Sequence, residues 1–325
     1  MASTAGPFSI PEPVRNLFSR FPLHTYPPIS SPYQTPRITT PTLWIHPPLS
    51  TAPLGQSQSH AKHSQEVLSS DVECLKWQAY LALRHFSYPI AVRWDVSPDG
   101  GVDGRLPNLH VPLTGEETKA IDSEVKDDGE GELLAAHLIP EWVDRKLGEL
   151  GPVEGYVDEN ARDESRAWVA LLEGNVHAAL LAFDPPPQTL LSLLTPYQSA
   201  GASRPISAVL PSPPAPLTGW TGLIRPYGVR LDLTSIELQY KDAIAALSDR
   251  LGTDRWFLGS AQPTALDALA FAYLHCILHA RSETLRFEVS RRVNLVAWEQ
   301  RVSREVRDAF RVYHGRRHYF GEITK

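Results

Sequence analysis

The stretch "WFLGSAQPTALDALAFAYLHCIL" (residues 256–278) decides the fold of this chain. Thr264 and Asp267 have the spacing of a capping box, in which two side chains satisfy backbone N–H groups at the start of a helix. The residues that follow are apolar on nearly every side of a helix, and such a helix lies inside a domain rather than on its surface. The sequence therefore predicts a buried central helix that begins after Thr264.

A second helix is predicted in the first third of the chain. The segment "SSDVECLKWQAYLALRHF" (69–86) opens with a Ser70-x-x-Glu73 capping box and then has apolar residues on one helical face. Three short apolar runs around this helix are predicted strands: 43–45, 89–95 and 106–113. A strand–helix–strand order favours a parallel pair with a right-handed crossover, so this region is predicted to be a small α/β domain.

The rest of the chain is predicted to be mostly helical. An acidic linker at 115–132 separates it from the α/β region. Helical apolar spacing recurs in four more segments: 132–150, 163–184, 232–252 and 294–314. Proline is concentrated in the first 70 residues and again at about 184–226, where regular helix cannot continue. We therefore divide the chain into a proline-rich arm (1–40), an α/β domain (41–125) and an all-α domain (126–325) that contains the second proline-rich segment.

Composition narrows the possible classes of protein. The chain has 325 residues, a net charge of −6 and 42% hydrophobic residues, which is typical of a globular protein with about two domains. It lacks the strong basic footprint of a nucleic-acid binder. Two cysteines do not make a disulfide framework and favour a reducing compartment. We find no secretory signal and no apolar run of the length that spans a membrane.

Cys74 raises the question of catalysis, because a thiol near a helix start can have a lowered pKa and act as a nucleophile. Here Asp71 and Glu73 stand beside it and Leu75 follows on the apolar face. Negative neighbours disfavour a thiolate, so a buried packing role is the better interpretation. Cys276 lies in the apolar run of the central helix and is interpreted in the same way.

Other patterns of catalytic chemistry are weak. His275 and His279 are four residues apart, a spacing that can bind zinc, but the glutamate of an H-E-x-x-H motif is missing and the sequence indicates no third ligand. The glycine motifs of nucleotide-binding and hydrolase sites are absent. We therefore expect no catalytic, cofactor-binding or metal-ligating residues and no enzyme activity.

The layout resembles the glutathione-transferase fold, an α/β thioredoxin-like N-terminal domain followed by an all-α C-terminal domain. In that family the position of Pro107 in "LPNLHV" carries a cis-proline, and the central helix begins with a box like Thr264–Asp267. Pro107, Thr264 and Asp267 are thus the signature of the fold.

The amino-acid sequence is closer still to that of a non-enzymatic branch of proteins with this fold. The segments "DVECLKWQAYLAL", "GRLPNLHV" and "FLGSAQPTALDALAFAYLHCIL" resemble metaxins and the metaxin-like subunits of the fungal mitochondrial sorting and assembly machinery (SAM complex), in particular their smaller, thirty-five-kilodalton type. The similarity covers roughly residues 41–115 and 160–280, and "TALDALAF" is its most specific block.

The metaxin resemblance implies a peripheral subunit on the cytosolic face of the mitochondrial outer membrane. Its partners would be the β-barrel core subunit, a second metaxin-like subunit and β-barrel precursors, whose signal strand it would help to recognise for insertion. The proline-rich segments and the basic end of the chain, with ten Lys/Arg against five Asp/Glu in 286–325, are then expected to contact partners or lipid headgroups. A solvated helix face is the other interpretation of that basic end.

A glutathione-dependent transferase is the alternative function. Transferases of this fold bind the γ-glutamyl end of glutathione with an acidic–hydroxyl pair that follows the third and fourth strands. Glu117 and Thr118 offer such a pair, but the sequence predicts a missing or very short fourth strand, and a glutathione site would then be misshapen.

Overall fold

The computed structural model describes residues 40–48, 66–112, 131–148, 150–151, 153–183, 203–205 and 230–313. All but the last residue of the proline-rich arm, nearly all of the predicted insertion and the Glu117–Thr118 pair lie outside the described residues. Their predicted roles therefore stay predictions.

A mixed five-stranded sheet, in the order β4-β3-β1-β2-β7, forms the α/β part of the molecule. Its strands are β1 (Thr42–Trp44), β2 (Ile90–Arg93), β3 (Asn108–Val111), β4 (Glu132–Ala135) and β7 (Phe310–Val312). β1 and β2 are parallel and β3 is antiparallel to β1. The predicted strand–helix–strand unit is thus present, with a third strand beside it.

The two faces of this sheet differ because side chains alternate along each strand. The cross-strand row Leu134–Leu109–Leu43–Val92 is buried in the hydrophobic core. The opposite face includes Trp44, Arg93 and His110, which are only partly buried. One face therefore holds the domain together, and the other presents aromatic and basic groups.

Helix α1 (Val72–Leu83) crosses from β1 to β2, but it does not begin with the predicted Ser70–Glu73 box. Asp71 is the N-cap, and its Oδ2 accepts a hydrogen bond from the backbone N–H of Cys74 at 2.9 Å. The hydroxyl of Ser70 instead donates to the carbonyl of Pro47 at 2.8 Å. The prediction of the box was wrong because a tertiary contact takes the Ser70 side chain away from the helix.

The sheet continues past the predicted domain boundary at residue 125. Residues 132–135, predicted as helix, form the fourth strand, β4, which pairs antiparallel with β3. Helix α2 (Ile139–Leu147) follows it directly. The fourth strand is therefore short but present, and the α/β region extends beyond residue 125.

The helical part contains α3 (Glu159–Leu171), α4 (His177–Phe183), α5 (Leu233–Leu251), α6 (Ala265–Leu278), α7 (Glu283–Ser290) and α8 (Val293–Asp308). A π-helical segment, Leu172–Val176, joins α3 to α4. A two-stranded sheet pairs β5 (Ser203–Pro205) with β6 (Arg230–Asp232) immediately before α5. None of the helices in the described part of the chain combines the length and apolar composition that a membrane span needs.

Helix α6 is the central helix that the sequence predicts. Eleven of its fourteen residues are buried, and both halves of the Thr264–Asp267 capping box are formed. It packs against α1 of the α/β part and against α7 and α8. The chain then returns to the sheet, since β7 follows α8 and pairs parallel with β2. This last strand was predicted as helix, and its partner lies some 220 residues earlier in the chain.

Candidate functional site

A cleft of about 320 Å³ opens beside the first turns of α1. Three segments form it: the exposed side of α1, the loop and turn before β3, and the residues that follow β4. Its side chains include Glu73, Trp77, Asp103, Arg105 and His137. The cleft includes Pro107, one of the three residues predicted as the signature of the fold.

Pro107 shapes one wall of the cleft. The Leu106–Pro107 peptide bond is cis, which is the geometry that the resemblance to transferases implies. The next residue, Asn108, is buried and accepts a hydrogen bond from the backbone N–H of Val102 at 3.1 Å. At Gly101 a Cβ atom would overlap the Asn108 side chain, so the turn needs glycine there. The wall is thus fixed by local packing.

Cys74 does not face this cleft. Its side chain is fully buried, and its Sγ accepts a hydrogen bond from the backbone N–H of His46 at 3.4 Å. Burial, reinforced by the nearby Asp71 carboxylate, raises the pKa of the Cys74 thiol far above its ordinary value. A thiol in this state is a poor nucleophile. The side chains that α1 presents to the cleft are Glu73 and Trp77 instead.

The residues after the fourth strand do not form an acidic–hydroxyl pair. β4 ends at Ala135, and Ala136 and His137 follow it along the cleft. Of the two carboxylates that line the cleft, Glu73 already binds Lys76 at 2.7 Å and the indole N–H of Trp77 at 3.0 Å. The described part of the cleft therefore offers neither an available thiol nor the pair expected for γ-glutamyl binding.

Thr264 and Asp267 lie away from the cleft, in the interior of the helical part. Asp267 is fully buried and accepts three hydrogen bonds at 2.8 Å, from the backbone N–H groups of Phe257 and Thr264 and from the Thr264 hydroxyl. Burial outweighs these donors and raises the pKa of Asp267 to about 6. The pair thus fixes the start of α6 and the turn before it.

The Nδ1 atoms of His275 and His279 are both engaged in hydrogen bonds. The Nδ1 of His275 lies 2.6 Å from the buried carboxylate of Glu299 on α8, and burial lowers the pKa of His275. The Nδ1 of His279 is bonded to the backbone carbonyl of His275 at 2.8 Å. These histidines are engaged in packing and helix-to-helix contacts.

One group of side chains was not predicted from the sequence. His46, Asp71 and Cys74 have donor atoms that all lie within 4.8 Å of one another. His46 follows β1 and stands 28 residues before Cys74, so no spacing motif connects them. The only available signal was indirect: in a strand–helix unit, the end of the strand lies near the start of the helix.

Comparison with known proteins agrees with the architecture. Residues 240–302 match the family model described as glutathione S-transferase, C-terminal domain. No curated protein matches the chain. Together with the mixed sheet, the cis-proline and the central helix, the match shows a glutathione-transferase-like fold: a thioredoxin-like N-terminal part followed by a helical C-terminal part.

The similar solved structures are distant. A glutathione transferase family member from Pseudomonas fluorescens with two glutathiones bound is 10% identical, with a TM-score of 0.43 over 85% of this chain and 95% of that one. Glutathione transferase F2 from Populus trichocarpa is 12% identical, with a TM-score of 0.41 over 83% and 96%. Ure2p in complex with glutathione is 10% identical, with a TM-score of 0.41 over 83% and 92%. These scores are too low to support an inference about function.

Proposed function

We propose that this chain is a non-catalytic subunit of the mitochondrial sorting and assembly machinery. It docks on the β-barrel core on the cytosolic face of the outer membrane, beside a second metaxin-like subunit, and helps to recognise the signal strand of β-barrel precursors. The proposal rests on the sequence resemblance to metaxins. The three resembling segments correspond to α1, to the cis-proline with β3, and to α6 with the turn before it.

The non-catalytic part of the proposal is supported by two structural observations. The helix start that would carry a nucleophile instead buries Cys74 completely, and the thiol pKa is raised. The cleft beside it has Ala136 and His137 after β4 where a transferase would need its acidic–hydroxyl pair. A binding role that makes and breaks no covalent bond is consistent with this site.

Docking is expected to involve the basic end of the chain. Some of its arginines are neutralised locally, since Arg291 and Arg292 both bind the buried Glu288 at 2.6 and 3.2 Å. Arg304 on α8 and Arg311 on β7 are exposed. Exposed arginines are favourable contacts for the carboxylates of a partner, and they increase the rate of association.

Affinity purification tests the proposal. Mitochondria of the organism that carries the chain are solubilised in mild detergent and the tagged chain is purified from them. Co-purifying proteins are identified by mass spectrometry. We expect an outer-membrane β-barrel protein and a second metaxin-like chain in near-equal amounts. Recovery of the chain alone from a soluble fraction, together with retention on a glutathione column, would instead support the alternative of a glutathione-dependent enzyme.

A charge reversal tests the docking surface. We expect Arg304→Glu combined with Arg311→Glu to lower the recovery of the barrel protein, because both changes place like charges against an acidic partner surface. The control is Arg145→Glu, an exposed arginine on α2. Equal recovery with the double variant and the control would remove the basic end from the proposed interface.

A further inference from the structure

Three side chains of the types that bind transition metals converge beside the start of α1, and we propose that His46, Asp71 and Cys74 bind a divalent ion of the zinc type. One nitrogen, one oxygen and one sulfur donor lie within 4.8 Å of one another. Among the residues that the structure describes, no second group of three His, Cys, Asp or Glu side chains meets this condition. The inference does not depend on the proposed function.

The distances suit a metal after small side-chain rotations. Zinc binds cysteine sulfur at about 2.3 Å and histidine nitrogen or carboxylate oxygen at about 2.1 Å, so tetrahedral ligands stand about 3.5 Å apart. Donors within 4.8 Å need to move inward by only about an ångström. His46 and Asp71 are partly exposed and have room to rotate, whereas Cys74 is held in the core.

The backbone already holds the two ligand segments together. The N–H of His46 donates to the Cys74 Sγ at 3.4 Å, and the carbonyl of His46 accepts from the Ser69 hydroxyl at 3.0 Å. An N–H group directed at sulfur is an outer-shell contact of the kind that supports metal-bound thiolates. The strand end and the helix start are therefore positioned before any ion arrives, and the cost of ordering the ligands on binding is low.

Charge and donor type select the ion. Coordination displaces the proton of the Cys74 thiol to solvent. The resulting thiolate and the Asp71 carboxylate carry two negative charges, which a divalent cation neutralises. Sulfur and imidazole ligands favour zinc-like ions over Mg²⁺ or Ca²⁺, which prefer oxygen. Asp71 caps α1 with Oδ2, and its carboxylate is also hydrogen-bonded to the Cys74 thiol. A metal that takes both groups as ligands replaces this second contact. The partial exposure of His46 and Asp71 leaves an entry path and room for water as a fourth ligand.

His46→Ala is the decisive variant, because His46 contributes to the fold through its backbone groups, which alanine keeps. The full chain is titrated with Co²⁺ alone under reducing conditions, followed by absorption, and with Zn²⁺ alone by calorimetry. We expect one ion per chain and thiolate-to-cobalt charge-transfer absorption. We expect His46→Ala to weaken Co²⁺ binding at least about 100-fold. Loss of an outer-shell contact already lowers metal affinity by about 10–100-fold, and His46 is proposed as a direct ligand.

Two control variants separate this site from other histidines and thiols. His137→Ala removes an exposed histidine, and Cys276→Ala removes the other cysteine. Both are expected to bind Co²⁺ as the unaltered chain does. The proposal is overturned by an unaltered chain that gives no charge-transfer absorption, by loss of that absorption in Cys276→Ala, or by equal affinity in His46→Ala with its fold verified by circular dichroism.

Discussion

At the scale of single residues, the clearest prediction about the free energy of unfolding concerns Asp267. Its carboxylate is the acceptor for three buried donors around the start of α6. In Asp267→Ala these donors lose their partner, and orphaned buried donors cost about 1–3 kcal/mol each. We expect the free energy of unfolding, measured with urea at pH 7, to fall by about 3 kcal/mol. Asp242→Ala on the exposed face of α5 is the control and should change it by less than about 0.5 kcal/mol.

The raised pKa of Asp267 adds a pH dependence of defined sign. The folded value of about 6 lies above the ordinary value of 3.8, so the folded state binds more protons between these values and stability decreases as pH rises through them. The unaltered chain gains this stabilisation on acidification, and Asp267→Ala does not. The difference in unfolding free energy between the two proteins should therefore be about 2 kcal/mol larger at pH 4.5 than at pH 7. A difference that is equal at both pH values would contradict the raised pKa.

The two predicted capping boxes show what a residue pattern determines. The Thr264–Asp267 box forms because all its hydrogen bonds are local, within three residues. Ser70–Glu73 has the same spacing, yet Ser70 bonds to Pro47 and Glu73 to Lys76 and Trp77. In the second box Ser70 is engaged by a distant residue and Glu73 by neighbours on its own helix, so the spacing alone did not produce the box there. The same limit applies to the group His46, Asp71 and Cys74. His46 lies beside Cys74 through a tertiary contact across 28 residues, which local spacing does not predict.

At the scale of elements, a bidentate ion pair joins α3 to α5. The guanidinium of Arg250 donates to Glu164 through Nε at 2.6 Å and through a terminal nitrogen at 3.0 Å. Both side chains are about one-third exposed, so solvent screens the pair. We expect a double-mutant cycle of Glu164→Gln and Arg250→Gln to give a coupling of about 1 kcal/mol in urea unfolding, decreasing with added salt.

The matched control is the pair Arg166–Asp163 on α3, which spans three residues and is about two-thirds exposed. Its cycle should give about 0.3 kcal/mol. Equal couplings for the two pairs would mean that the contact between α3 and α5 contributes nothing beyond a surface ion pair.

Elements differed in how far the sequence predicted them. α1, α5, α6 and α8 follow from apolar periodicity, which is a property of the segment itself. β4 and β7 do not, because each has only three or four residues and is defined by its pairing with β3 or β2. Leu133, Leu134 and Leu138 fit a helical spacing equally well, so the pattern alone did not distinguish the short strand from a helix.

At the scale of the whole molecule, the two parts share a single core. α1 of the α/β part packs along α6 of the helical part, and β7 brings the end of the described chain back to the sheet. One cluster of buried residues runs from Leu43 on β1 to Phe310 on β7. The predicted boundary at residue 125 therefore does not divide the fold into independent cores. Such a boundary is hard to predict from sequence, because closure of the sheet depends on residues far apart in the chain.

A shared core predicts cooperative unfolding. Phe310 is 5% exposed at the junction of α8 with the sheet, and Phe310→Ala should lower the unfolding free energy by about 3–5 kcal/mol. Helical circular dichroism and tryptophan fluorescence should still report one coincident transition in urea, since helices and sheet lose their packing together.

Phe287→Ala, at a site 68% exposed, is the control with the same change of side chain and should lower the unfolding free energy by less than about 0.5 kcal/mol. Separate transitions in Phe310→Ala, with the helical signal surviving the loss of tryptophan packing, would show instead that β7 only fastens together two parts that fold independently.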